Sequence, residues 1–170
     1  PLMRTLPRFL HTLPLLQAPD ERLVSLYIRD YQVAFTAADG HLARTLSGAL
    51  FTQLAADGSA EIEAPRFILH NPAAPSWHAR AAQGLLSADG ERLQLRGGVV
   101  IERAADARHP PLRVETDSLE LRHGESYART DSRVVLTRGA DRVEAVGLEA
   151  WLQPPMRLKL LSRVRGRHEP

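Results

Sequence analysis

The stretch Arg92-Leu93-Gln94-Leu95-Arg96-Gly97-Gly98-Val99-Val100-Ile101-Glu102 decides the fold. Leu93, Leu95, Val99 and Ile101 share one parity, with Arg92, Gln94, Arg96 and Glu102 on the polar side. A period of two is the repeat of a strand with one face buried and the other in water. Glycine weakens a strand interior, so the Gly97-Gly98 pair predicts a bulge or a tight corner within it.

The same pattern extends in both directions, cut by turn signals at Asp39-Gly40, Asp57-Gly58, Asn71-Pro72, Asp89-Gly90, His109-Pro110-Pro111, His123-Gly124, Arg138-Gly139 and Pro154-Pro155. Successive signals lie about 13 to 20 residues apart, which leaves strands of roughly 10 residues or more. From Leu23 to Ala37, Leu26 and Ile28 keep one parity and Tyr31, Val33 and Phe35 the other, which predicts a bulge near Arg29-Asp30. Leu42, Leu46, Leu50 and Leu54 share a parity, with Phe51 the apolar exception on the other face. Leu112 and Val114 oppose Leu119 and Leu121 in parity, so a second slip is expected near Asp117-Ser118. Val134 and Leu136 mark the next strand, and Val146, Leu148, Ala150 and Leu152 the one after. In the last, Leu158, Leu160, Ser162 and Val164 are expected inward and Arg157, Lys159, Arg163, Arg165 and Arg167 outward.

No stretch after residue 20 keeps a helical period. The expectation is an all-β protein: a twisted β-jelly roll of two packed antiparallel sheets with open ends. An immunoglobulin sandwich would need shorter strands and a Cys-Trp-Cys core, whereas pattern alone leaves a closed lipocalin-type barrel open. The chain of 170 residues divides into a lead-in, 1–22, and one β domain, 23–170. The lead-in is apolar but broken by Pro7, Pro14, Arg4, Arg8 and His11, too interrupted for a membrane-spanning helix or a signal-peptide core. It reads as a short amphipathic helix or coil, with docking to a surface or partner as the alternative.

Composition narrows the function. Hydrophobic residues make up 44% and aromatics only 5%, so the core is aliphatic. A net charge of +2, with both signs interspersed, does not predict nucleic-acid binding. Cysteine is absent, which removes thiol chemistry and Cys-ligated metal. His11, His41, His70, His78, His109, His123 and His168 are scattered without ligand spacing, so no metal or other cofactor is expected. No nucleophile elbow, phosphate loop or dinucleotide fingerprint occurs, which argues against an enzyme.

Several stretches resemble the LptC family of periplasmic lipopolysaccharide-export proteins, of the LptA/LptC/OstA-like fold group. They are Tyr31-Gln-Val-Ala-Phe-Thr-Ala-Ala-Asp-Gly40, Ala64-Pro-Arg-Phe67, Trp77-His-Ala-Arg-Ala-Ala-Gln-Gly84, Leu93 to Ile101, Glu115-Thr-Asp-Ser-Leu119, Ala128-Arg-Thr-Asp-Ser-Arg-Val134, Gly147-Leu148 and Leu161-Ser-Arg-Val-Arg-Gly166. No single stretch is specific; the ordered set is. The resemblance implies an open, boat-shaped jelly roll with no enzymatic activity. It implies lipopolysaccharide as cargo, the inner-membrane ABC exporter subunits LptF and LptG at the N-terminal edge, and LptA at the C-terminal edge. Localisation is expected to be periplasmic and tethered to the inner membrane. The usual membrane anchor of the family is missing from this sequence, leaving the tether open. Self-pairing of edges into a homodimer is a further option.

If the core doubles as the lipid path, the acyl-chain contacts are expected at Phe35, Leu50, Phe67 and Leu69, at Leu93, Leu95, Val99 and Ile101, and at Val114, Leu119, Val134, Leu136 and Leu148. Crosslinkers at Leu95 or Val134 should then trap lipopolysaccharide. Partner contacts are expected at Tyr31, Val33 and Gly40 on one side and at Gly147, Leu158, Leu160, Arg163 and Arg165 on the other. Gly40 is also explained by its turn alone. Gly147, inside a strand, calls for a bulge or a close approach of lipid or backbone. The basic row on the last strand serves either to discourage stray edge pairing or to attract phosphates or an acidic partner edge. Trp77 and Trp151 read as core or rim packing. The competing functions are a carbohydrate-binding or adhesion β-sandwich, which wants aromatic platforms, and a hydrolase, which wants a nucleophile and base.

Overall fold

Five reversals of the chain are stabilised locally by a side chain, and short reversals between extended segments build an antiparallel meander. Asp39, Asp57, Asn71, Asp89 and Asp106 each accept a backbone N–H two residues ahead, at 2.8 to 3.2 Å. These side chains imitate a turn of backbone. The computed structural model describes residues 23–153 and 155–170. The expected lead-in helix and the Pro154 half of the last turn signal lie outside the described residues.

The strands are β1 (Val24–Thr36), β2 (Leu42–Leu54), β3 (Ala60–Glu63), β4 (Arg66–Leu69), β5 (Trp77–Arg80), β6 (Gln83–Leu86), β7 (Arg92–Arg103), β8 (Leu112–Arg122), β9 (Tyr127–Arg138), β10 (Asp141–Trp151) and β11 (Arg157–Arg167). They form one 11-stranded antiparallel sheet. β3 and β4 are two halves of one run broken at Ala64-Pro65, and β5 and β6 two halves of another broken at Ala81-Ala82. β2 therefore pairs β3 with one half and β4 with the other, and β7 divides likewise between β6 and β5.

The breaks line up across the sheet. Left-handed backbone occurs at Asp30 (φ 47°), Ala64 (48°), Gly97 (82°), Gly98 (59°), Gly147 (85°) and Arg163 (48°), and the register slips beside Gly97-Gly98, between Thr116 and Glu120, at Gly147 where β10 meets β9, and between Glu144 and Val146 where β10 meets β11. This row is a crease that folds one sheet into two facing leaves. The first leaf holds the Tyr31 end of β1, the Leu42 end of β2, β4, β5, the Val99 end of β7 and the Val114 end of β8. The second holds the opposite halves, with β3 and β6. Apolar side chains from both leaves meet in one cluster that includes Ile62, Leu93, Leu95, Val99 and Leu119. The two layers of a jelly roll are thus present as halves of a single sheet.

The crease explains the parity slips. The switch expected near Asp30 and the one near Asp117-Ser118 both fall on it. A third, between Leu46 and Phe51 and opposite Asp30, corrects one expectation. Leu46 is buried inward before the crease, but after it Phe51 turns inward and Leu50 outward, opposite Glu63 and Arg29. Phe51 packs edge-on against the Tyr31 ring, 5.4 Å between centroids. Leu50 is therefore not an interior residue. In β10 the slip at Gly147 lets Leu148 and Ala150 face inward on one side and Ala145 on the other, all three buried.

Among the described residues β1 pairs only with β2, and β11 only with β10. The first and last strands do not meet, so the closed barrel is excluded.

Candidate functional site

Two leaves joined at a crease must part somewhere, and the gap between their far rims is the site. Next to the crease the packing is tight: Leu95, Val99, Val134 and Leu148 are 0 to 2% exposed. Farther out the leaves enclose a narrow apolar cleft of about 50 Å³. Phe67, Leu69, Trp77, Ile101 and Val114 line it from the first leaf, and Leu121, Ala128, Ala150, Leu152 and Leu158 from the second. The cleft widens into a mouth of about 620 Å³. Phe67, Leu69, Trp77, Leu121 and Leu152 line both, so the two spaces are continuous. The cleft's lining is apolar throughout, so it offers contact to a hydrocarbon chain with no directed polar recognition.

The mouth has a polar rim. Arg44 stands in the inward row of β2, between Leu42 and Leu46, and reaches from the first leaf to His123 on the second. The Arg44 guanidinium donates to Nδ1 of His123 and lies over the Phe35 ring at 5.1 Å. Glu91 accepts the Gly124 N–H at 3.0 Å. Burial, then the Arg44 charge, hold the His123 imidazole below its ordinary range, and Glu91 partly opposes this. Arg103 lies over Trp77 at 5.4 Å, and Arg122 over Tyr127 at 5.5 Å. Among the described residues no group of His, Asp or Glu could hold a metal ion.

The expected lipid contacts divide by depth. Phe67, Leu69, Ile101, Val114, Leu119 and Leu148 border the cleft, and Phe35 and Leu93 the mouth. Leu95, Val99 and Val134 are sealed in packed interior, with Leu136 half-buried against the same cluster. Leu50 lies outside. Trp77, Leu121, Leu152 and Met156 line the space but were not singled out as contacts. Arg44 had a signal, an arginine on the parity of Leu42 and Leu46. His123 had none beyond its turn.

The expected partner residues also divide. Val33 is exposed on the free strand β1, and Arg163 and Arg165 on the free strand β11. Leu158 and Leu160 sit on β11, the first bordering the cleft and the second packed against Val134 and Leu148. Tyr31 is buried at the crease, only 8% exposed, with its ring edge-on to Phe51. Its hydroxyl has no hydrogen-bond partner, and burial pushes the phenol up to about 12. Gly147 lies in β10, paired on both sides, and the close approach it permits is that of Leu161. Gly40 has φ +88° at a rim turn, with open space around it.

A creased single sheet whose two outer strands are unpaired among the described residues, with an apolar interior open along its rims, defines an open β-jelly roll. Residues 12–169 match the family model described as Lipopolysaccharide-assembly, LptC-related. The chain belongs to this family, and with it to lipopolysaccharide transport and outer-membrane biogenesis in the periplasmic envelope. The family is one of transport and bridging proteins. A comparison with curated proteins returns no match. Among the described residues no helix is long and apolar enough to cross a membrane.

Proposed function

We propose that the chain is a relay that holds lipopolysaccharide by its acyl chains between the two leaves and passes it from the inner-membrane ABC exporter to LptA. Residues 23–170 act as the carrier domain and 1–22 as a lead-in, tethered at the inner membrane. The observation that carries this reading is the apolar cleft widening to a rim-lined mouth. Burying about ten methylenes there contributes about 8 kcal/mol, ample for holding a lipid without precise polar contacts. The absence of directed polar groups in the cleft suits a cargo that must slide on.

The free edges support the rest of the reading. An unpaired strand offers its N–H and C=O row to another chain. β11 meets LptA in this scheme, and β1 the exporter subunits LptF and LptG. β1 carries exposed apolar groups, including Tyr27 at 64% and Val33 at 43%. β11 carries Lys159, Arg163 and Arg165, none ion-paired among the described residues, which fits an acidic strand. No enzymatic step is assigned.

The test is photo-crosslinking during active transport. Residues replaced at Leu69 and Leu121 should trap lipopolysaccharide, and Gln94, on the outer face, should not. Leu95 and Val134 should label weakly, because packed neighbours shield them. Label confined to Gln94 would end the proposal.

A further inference from the structure

The rim of the mouth is bridged at one place by a polar contact that no carrier needs for apolar binding. Arg44 comes from β2 on the first leaf, and His123 from the turn after β8 on the second. Their contact ties the two rims directly across the opening, so a lipid moving in sideways would have to pass it. We propose that Arg44 and His123 form a proton-sensitive latch between the leaves, which restricts lateral access by many-chained lipids while closed and releases the rims when the imidazole is protonated. The inference rests on the carrier reading for its lipid, while its opening rests on the Arg44–His123 contact and the charges around it.

The chemistry follows from which atom faces which. Nδ1 of His123 points at a guanidinium, which only donates, so the imidazole must accept there and be neutral. A proton on Nδ1 removes the acceptor and sets two cations against each other. Other charges bear on the imidazole. Glu91, from the β6–β7 turn, holds the neighbouring Gly124 N–H and favours the protonated form. Asp89 of that turn and His70 of the β4–β5 loop also border the mouth, as does Arg122 on the histidine's own hairpin. Burial, then the Arg44 charge, outweigh Glu91 and hold the imidazole neutral near pH 7. Falling pH, below the ordinary imidazole range, therefore opens the latch and rising pH closes it. After release Arg44 still has Glu91 and the Phe35 face.

A lipid-free measurement decides the opening. Because the chain has no cysteine, nitroxides can be placed at Ala74→Cys on the β4–β5 loop and Ala88→Cys on the β6–β7 turn, one on each rim. Pulsed EPR should give a longer, broader distance at pH 5.0 than at pH 7.5. Arg44→Ala should give the long distance at both, and His123→Gln, which accepts without titrating, the short one at both. Far-UV circular dichroism confirms that each protein stays folded. One unchanging distance at both pH values, or a pH shift that persists in His123→Gln, overturns the latch. In the second arm, micellar lipid A and palmitate are offered at pH 7.5. Arg44→Ala should capture lipid A about 5- to 10-fold faster, with palmitate little changed. Equal effects on both lipids overturn the selectivity. Failure of every variant, including the unaltered protein, to take up either lipid refutes the carrier reading, and the distances still judge the latch.

Discussion

Replacing Gly147 by alanine should destabilise the protein for two separable reasons. At φ +85° an alanine costs about 1–2 kcal/mol over glycine. Its Cβ would also lie 2.8 Å from Cδ1 of Leu161, 3.0 Å from its Cβ and 3.2 Å from its Cγ. The Cδ1 atom can rotate away, but the Leu161 Cβ moves only with the backbone of β11. Forcing that shift costs about 1–3 kcal/mol, the usual range for an overpacked site. The expected total is about 2–5 kcal/mol, a large fraction of the roughly 5–15 kcal/mol that holds a domain folded. At this chain length it lowers Tm by about 5–20 °C. Leu161→Gly removes the Cβ itself, and because Leu161 is 37% exposed it should cost only about 1–2 kcal/mol alone. In that background most of the crowding is gone, and Gly147→Ala should cost little beyond its backbone conformation. Urea denaturation of the four proteins, followed by far-UV circular dichroism, measures this coupling at about 1–3 kcal/mol. A Gly147→Ala cost below about 0.5 kcal/mol, or one equal in both backgrounds, refutes the reasoning. The result also bears on the edge strand, because the crowding would displace β11, the strand assigned to the next protein in the relay.

Tyr31→Phe should be neutral to stabilising by about 1 kcal/mol, since the hydroxyl it removes is buried with no partner. The same phenol is held near 12 against about 10 when unfolded, so the stability it contributes is present below pH 10 and lost as pH rises through 12. Urea midpoints at pH 8 and pH 11 should therefore fall less in Tyr31→Phe than in the unaltered protein; an identical fall would contradict the burial of this group. Reversing Arg163 and Arg165 to glutamate should leave stability within about 0.5 kcal/mol, because both are exposed and neither is ion-paired among the described residues. The same pair should weaken capture of LptA in a salt-dependent way, read by co-purification at low and high ionic strength. Unchanged capture would detach these charges from the docking edge. Deleting Leu158–Pro170 should abolish LptA capture and also uncover the cleft, since Leu158 borders it and Leu160 packs beside it. Lipid retention measured on the deletion therefore distinguishes it from the charge reversal.

Much of this was legible because it is local. Alternation along Leu93, Leu95, Val99 and Ile101 marks a buried face whatever the strand pairs with, and Asp-Gly signals mark reversals by their own backbone preferences. The parity slips at Asp30 and at Asp117-Ser118 were visible for the same reason, since each changes the side on which apolar residues fall. Leu50 was misread because the switch of sides in β2 lies opposite Asp30 of the neighbouring strand, with little in β2 itself to announce it. Phe51, apolar on the polar parity, was the signal. The burial of Tyr31 was not legible, because it depends on Phe51 of the neighbouring strand covering the ring.

An all-β chain, its reversals and the inward face of most strands follow from turn chemistry and a period of two, which act over a few residues. That the kinks align into one crease emerges only from the folded sheet. It alone made the two layers leaves of a single sheet and sorted the apolar residues into sealed packing and open cleft. Those outcomes depend on register between strands far apart in the chain, where no short pattern records which neighbour a side chain will meet. Arg44 and His123 show the limit most plainly: 79 positions apart, they come into contact only when the sheet has folded over on itself.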